Sequence, residues 1–438
     1  MLLEFRTKNY KSFADEMCFS MTPAPKQKGL DYSVLKKKIG AKTYKGLCSA
    51  VVYGPNASGK TNIIGAMDTF REIVLRGNIR NAEVISPNTA AYSLELIPNC
   101  NAVAGPTEFG VRFVDDDMMV EYAVSLELGP FMEKNYKRKV LEERLIINEK
   151  QVFVRNEGTF VVELPSSIKP YVNKRIKKVT KKVLEFASYS LSDSELFLSN
   201  GFKNLFAQDL VGKLLSWFEN KFTVVYHADD VRISRRIANP KENTIYVEKT
   251  ITEAARAFGV TANALGYKAN GEKNGDEVEL YSILYDKLLP AEMFESYGTI
   301  RFINEFPIVI HALLNGETLV VDEFDASIHP MALMDIINIF HNDEINKKNA
   351  QLIFNTHNPI FLDASLLRRD EIKFVERDEK TGNSTHYALS DFRTADGIRK
   401  GEDYMNNYFI NRYGAIKEID FSSIIERVVE ESEGKKYG

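Results

Sequence analysis

The hydrophobic rhythm of the chain changes several times, and each change marks a different kind of element. Leu2 to Thr7 reads as a first strand, Asn9-Tyr10-Lys11-Ser12-Phe13 as a turn, and Met17 to Met21 as a second extended segment. Lys26 to Lys45 is polar and rich in lysine, which predicts a loop. The apolar run Ala50-Val51-Val52-Tyr53 predicts a buried strand. Beyond it, Ile63, Ile64, Met67, Phe70 and Val74 fall on one face of a helix predicted over Asn62 to Leu75.

From Ala91 to Val154 the period drops to two. Tyr92 to Leu96, Glu108 to Phe113, Val120 to Leu126 and Arg144 to Ile147 alternate apolar with polar residues between Gly, Pro, Asn and Asp breaks, which predicts antiparallel strands and hairpins. Asp115-Asp116-Asp117 between two of them reads as an acidic hairpin turn, with a metal site as the alternative. Pro165 to Leu289 reads as largely helical, with strand-like interludes at Phe222 to Tyr226 and near Thr244 to Val247, and an exposed loop at Lys268 to Glu277. No internal repeat and no long heptad run is present.

Composition narrows the class. Of 438 residues, 44% are apolar and 27% charged, the balance of a soluble globular protein with ample core. The formal net charge of −4 excludes bulk charge as a route to nucleic acid, so any such contact needs a local patch. Two candidates exist: the run Asn173 to Lys182, and the weaker set Arg232, Arg235 and Arg236. Ile176, Val179 and Val183 stand at helical spacing within the first, so a packed helix with a solvated basic face accounts for the same residues. Cys18, Cys48 and Cys100 lack metal spacing and read as reduced, buried structural thiols. The N-terminus has no signal-peptide core, and no apolar run approaches the length of a membrane span, so a cytoplasmic protein without membrane contact is expected.

The chemistry is concentrated in three places. Gly54-Pro55-Asn56-Ala57-Ser58-Gly59-Lys60-Thr61 fills the fixed positions of a phosphate-binding loop between a strand and a helix. Such a loop turns backbone N–H groups toward phosphates, so Gly54, Asn56, Ser58, Gly59, Lys60, Thr61 and Asn62 are candidate ATP-binding residues, with the Thr61 hydroxyl also on Mg²⁺. Thr318-Leu319-Val320-Val321 ends in two carboxylates, of which Asp322 is placed to hold hydrated Mg²⁺ and Glu323 to polarise the attacking water. A further strand, Gln351 to Phe354, ends in Asn355-Thr356-His357, and Glu295-Ser296-Tyr297-Gly298-Thr299 precedes a helical stretch from Ile300 to Leu314.

Together these parts resemble an ABC-type ATPase. Phe324 to Pro330 is similar to the D-loop, His357 to the switch histidine, and Ser296 with Gly298 to the signature motif that holds the γ-phosphate in a partner subunit. With Leu3-Glu4-Phe5, Asn9 to Phe13, His329-Pro330 and Arg412-Tyr413-Gly414-Ala415-Ile416, the chain resembles the RecF/SMC/OLD-related branch, in the group of bacterial stand-alone abortive-infection and RloA-like defence ATPases. The resemblance implies an α/β ABC-type P-loop NTPase head. Residues 1–160 and 291–438 would form its two halves, with an N-terminal antiparallel β subdomain and a mainly helical insertion at 161–290.

It also implies an ATP hydrolase that works as a homodimer or higher homo-oligomer with ATP sandwiched between heads. In the defence reading the heads sense invasion and control a separate effector, a nuclease or toxin. The alternatives are a DNA-maintenance ATPase of RecF or SMC type and an ATP-locked scaffold with slow hydrolysis. Two features depart from the family pattern: no glutamine lies between Lys60 and Lys150 to serve as a Q-loop, and Tyr297 stands where transporters have glycine.

Overall fold

The strand before the phosphate loop, Ser49–Tyr53, is buried along its whole length, and a parallel sheet built around it organises the molecule. The computed structural model describes residues 1–25, 27, 29–80, 94–101, 105–130, 133, 136–176, 179–226, 245–247, 249–259, 264–269, 278–285, 287–326, 328–393, 401–417 and 419–434. The sheet runs in the order Phe222–Val225, Thr318–Val321, Gln351–Asn355, Ser49–Tyr53, Ile372–Arg377, Ser384–Ala388; all neighbours are parallel except the last pair. Because side chains alternate across a strand, each strand feeds two cores. Ala50, Val52, Val320 and Ile353 pack on one side, and Val51, Tyr53, Leu319, Val321, Leu352 and Phe354 on the other. This is why these strands read as continuous apolar runs rather than alternating ones.

The first core lies under a seven-stranded antiparallel sheet, in the order Phe160–Val162, Lys150–Arg155, Lys139–Ile147, Met118–Glu127, Thr107–Asp115, Leu2–Lys8, Met17–Ser20. Between the two sheets runs the helix Lys60–Arg76, whose Phe70 stacks on Phe109 and Tyr122. The second core is closed by the helices Tyr297–Asn315 and Pro330–His341. The α/β head with an antiparallel β subdomain is therefore the observed architecture.

One buried amide joins the sheets. Gln351, fully buried at the start of its strand, accepts from the Leu2 N–H and from Thr318 Oγ1 at 2.9 Å, and donates to the carbonyls of Leu2 at 3.0 Å and Leu47 at 2.9 Å. The turn Asn9 to Phe13 is thereby carried on a strand anchored to the parallel sheet.

Several expectations need correction. The loop expected over Lys26 to Lys45 contains instead most of a β-hairpin, Val34–Ile39 with Lys42–Leu47; Lys26 and Lys28 lie outside the described residues. Leu35, with Ile39 and Tyr44, packs on one face against Met1, Leu3 and Met119, and Leu47 enters the first core from the opposite face. Lys36, Lys38, Lys42 and Lys45 are exposed, so a few apolar anchors suffice to hold strands that look uniformly polar. Leu94 to Leu96 is not strand, and Tyr92 and Ser93 lie outside the described residues. The basic run is not one helix: Thr180 caps a helix spanning only Lys181–Tyr189, and Ile176, Val179 and Val183 pack against the first core from both sides of that cap. Lys177, Lys178, Arg232, Arg235 and Arg236 lie outside the described residues.

Within 161–290 the helices Lys181–Tyr189, Gln208–Asn220 and Lys249–Phe258 are accompanied by strands. Phe222–Val225 is the edge of the central sheet, and Ile245–Val247, Ala264–Ala269, Val278–Leu284 and Lys287–Pro290 form a small antiparallel sheet. Most of Lys268 to Glu277 lies outside the described residues, although Lys268 ends up in a strand. Of the three thiols only Cys48 is buried, and Cys18 and Cys100 are exposed; all are free. Asp115 to Asp117 is a hairpin turn, with Asp116 at φ +48° and Asp115 bound by Lys221 Nζ at 2.6 Å.

Replacing Gln351 by leucine keeps the volume but strips partners from the N–H and carbonyl of Leu2 and the carbonyl of Leu47. At about 1–3 kcal/mol per buried orphan, we expect a loss of about 3 kcal/mol or more, read from the midpoint of chemical denaturation.

Candidate functional site

The phosphate loop is braced from behind by two serines. Gly59 takes φ +110°, and a Cβ there would lie 2.5 Å from Ser384 Oγ and 2.7 Å from Ser12 Oγ, so glycine is required both by conformation and by space. Ser384 Oγ donates to the Ser58 carbonyl at 2.5 Å, Asn62 Nδ2 donates to Ser12 Oγ at 2.7 Å, and Arg377 Nη1 donates to the Ala57 carbonyl at 3.3 Å. Gly59 is also the N-cap of Lys60–Arg76 and has no side chain to occupy the first-turn N–H groups. A rigid loop therefore leads into an uncapped helix start, the arrangement that binds phosphate.

The Asn9 to Phe13 turn holds this loop in place. Tyr10 OH bonds Thr69 Oγ1 at 3.1 Å, Ser12 meets Asn62, and Lys11 pairs with Glu95. The turn is tight, with Asn9 and Lys11 at φ +51° and +46°. Tyr226, which follows the edge strand beside Asp322, bonds Glu95 at 3.1 Å and packs against Gly65.

Lys60 is nearly buried and folded back on its own loop. Its Nζ donates to the carbonyls of Gly54 at 2.7 Å and Pro55 at 3.0 Å and to His357 Nδ1 at 3.4 Å. Burial pulls the ammonium down to about 8, against the opposing pull of Glu323, Asp322 and Asp325. Burial, then the Lys60 charge, also holds His357 below its ordinary value, so its imidazole is neutral at pH 7. With Nδ1 accepting from Lys60, the proton sits on Nε2, which lies 4.0 Å from Glu323 Oε1. Glu323 and His357 remain open, their side chains 46% and 44% exposed.

Three groups set the carboxylate strand's end. Asn355 Nδ2 donates to Asp322 Oδ1, while its Oδ1 accepts from the Glu323 N–H. Arg301 Nη2 donates to the Glu323 carbonyl at 2.7 Å. Glu323 is held between them at φ +49°, a conformation that costs roughly 1–2 kcal/mol for a residue with a Cβ. Thr356 Oγ1 donates to Asp325 Oδ2 at 2.6 Å and accepts from the Asn358 N–H at 2.8 Å, tying the histidine strand to the segment after Glu323. Burial raises the Asp325 carboxyl above its usual range.

The structure thus gathers Gly54, Ser58, Gly59, Lys60, Asp322, Glu323 and His357 at the ends of three adjacent strands. Thr61 and Asn62 open the helix, and Asn56 stands exposed at the loop's tip. Ser296 and Gly298 are not part of this bonded group. Ser296 is an exposed N-cap whose Oγ accepts from the Thr299 N–H at 3.2 Å, and Gly298 lies in the same first turn. The Thr61 hydroxyl and the Asp322 carboxylate are hard oxygen donors, few enough that Mg²⁺ would keep waters and phosphate oxygens; the pair fits that ion. No cluster of three or more His, Cys, Asp or Glu placed for a metal exists among the described residues. Arg301 and Ser384 carried no recognisable signal in the sequence; Ser12 lies within the Asn9 to Phe13 segment and Asn355 directly precedes Thr356-His357, but nothing in the sequence gave either side chain its place at the site.

Fold and site together define a P-loop ATPase head. The family described as "AAA domain, putative AbiEii toxin, Type IV TA system" matches residues 49–363, well over half of the chain, and the protein belongs to it. Among solved structures, the chain is similar to the SMC head domain from Thermotoga maritima, at 14% identity and a TM-score of 0.36, covering 88% of this chain and 98% of that one. It is also similar to the Smc head domain from Pyrococcus furiosus bound to the C-terminal domain of ScpA, at 12% identity and a TM-score of 0.36, covering 89% and 97%. No curated protein matches. No helix among the described residues is long and apolar enough to cross a membrane.

Phosphate binding favours the charged form of Lys60 and raises its pKa. Affinity for a fluorescent ATP analogue is therefore expected to be highest below pH 8 and to fall as pH rises past about 8. Calorimetry in two buffers of different ionisation enthalpy at pH 8 should show proton uptake on binding, and Lys60→Met should abolish that uptake.

Proposed function

We propose that the chain is a Mg²⁺-dependent ATPase whose heads pair around nucleotide, and that this pairing signals to a separate effector in anti-phage defence. The observation that supports pairing is the one-sidedness of the site. Lys60, Thr61, Asp322, Glu323 and His357 form one wall, Glu323 and His357 stay about half exposed, and the exposed Ser296 helix start is turned to no partner within the bonded group. A second copy offering Ser296 and the N–H groups near Gly298 would complete it.

Bound nucleotide and Mg²⁺ would supply the phosphoanhydride and its charge compensation. Lys60 would exchange the Gly54 and Pro55 carbonyls for phosphate oxygens. Glu323 would orient a water and draw its proton, and the Nε2–H of neutral His357 would donate to developing negative charge. The defence role rests on the family, whose description names a toxin. The identity of the effector would follow from what co-purifies with an ATP-trapped form.

Glu323→Gln should bind ATP but lose turnover by about 10²–10⁴-fold, and should accumulate as an ATP-dependent dimer in analytical ultracentrifugation. Wild-type turnover per subunit should fall on dilution. A constant rate from a demonstrated monomer would overturn the paired-head reading.

A further inference from the structure

The helix Tyr297–Asn315 touches the carboxylate strand through a buried arginine. Arg301 sits five residues beyond Ser296, about 7.5 Å along the axis. Its Nε donates to Glu305 Oε1 at 2.8 Å, one turn further on, and its Nη2 donates to the main-chain carbonyl of Glu323 at 2.7 Å. Both side chains are only 4% exposed. A buried ion pair of this kind gives weak net stabilisation, so its presence calls for another account. The planar guanidinium fork can satisfy a carboxylate with one edge and hold a carbonyl with the other, which an ammonium does not reproduce.

The carbonyl it holds belongs to the strained residue of the site. Glu323 is clamped at its N–H by the Asn355 side chain and at its carbonyl by Arg301 and, within its own turn, by the Ala326 N–H at 3.0 Å, and lies at φ +49° between them. Rotation of this peptide re-aims the Glu323 carboxylate, which now stands 4.0 Å from His357 Nε2, outside hydrogen-bond reach. Of the two side-chain clamps, Asn355 is fixed within the central sheet, whereas Arg301 rides on the helix whose first turn is exposed at Ser296.

We propose that Arg301 is a positioning residue that transmits displacement of the Ser296 end of its helix to the Glu323 backbone. Contact by a second head at Ser296 then aligns the Glu323 carboxylate in the same subunit, so that pairing and hydrolysis are coupled within one chain. This rests on the paired-head ATPase reading above.

The test uses the full chain and two variants. Arg301→Met with Glu305→Leu removes both buried charges together and leaves neither unpaired. Arg301→Lys keeps the ion pair but not the fork. For the double variant, affinity for a fluorescent ATP analogue and ATP-driven dimerisation should stay within about three-fold of wild type, while kcat falls about 10–100-fold, the scale of a misplaced reacting group. Arg301→Lys should lower kcat by less, also with nucleotide binding kept.

A folded double variant with kcat within about two-fold of wild type would overturn the proposal, as would parallel loss of binding and turnover, the mark of a merely structural residue. Should the double variant fail to fold, Arg301→Lys decides alone, and undiminished kcat there overturns the proposal. If the wild-type chain itself shows no turnover at any concentration, the ATPase reading falls and this proposal falls with it.

Discussion

Everything at the site depends on holding two sheets of different character in one register, and the buried amide of Gln351 does this. It reaches the first strand of the antiparallel sheet, the end of the Lys42–Leu47 strand and the neighbouring Thr318 at once. An amide that satisfies several buried backbone groups is hard to displace, because any shift leaves them unpaired in a dry interior. From that seam the first strand runs to the Asn9 to Phe13 turn, whose Ser12 braces Gly59 and Asn62. The phosphate loop keeps its shape because the antiparallel sheet is pinned to the parallel one.

The site relaxes these rules. Lys60 is largely desolvated against its own backbone carbonyls, with its ammonium pulled down to about 8. Glu323 occupies a left-handed conformation fixed from two sides. His357 is neutral and too far from Glu323 for a hydrogen bond. Such strain persists only where the surrounding structure over-determines it. The well-satisfied seam supplies the rigidity that lets this strain persist.

Much of the head was legible in the residues. The phosphate loop, the Asp322-Glu323 strand end and the Asn355-Thr356-His357 strand end are local patterns in which residue type, spacing and the preceding apolar run agree. The hairpin at Val34 to Leu47 was not legible, because its lysines mask a few apolar anchors that matter only once Leu35 on one face and Leu47 on the other have cores to pack against. The basic run misled in the opposite direction, since helical spacing across Ile176, Val179 and Val183 ignores the cap that Thr180 places between them. Arg301, and the part Asn355 plays within its legible strand end, were silent for a third reason: both act on the backbone of Glu323, from helix and strand positions 22 and 32 residues away.

The sequence by itself determined that this protein has a triphosphate loop, a pair of carboxylates at a buried strand end and a histidine on the next strand. These are short segments whose chemistry is set by neighbours along the chain. Only the tertiary structure decided that Lys60 and His357 share a hydrogen bond, that Glu323 is strained, and that the Ser296 helix reaches it through Arg301. Those facts depend on burial and on contacts between segments hundreds of residues apart or on different elements. Electrostatics and backbone strain arise from such surroundings, not from residue order.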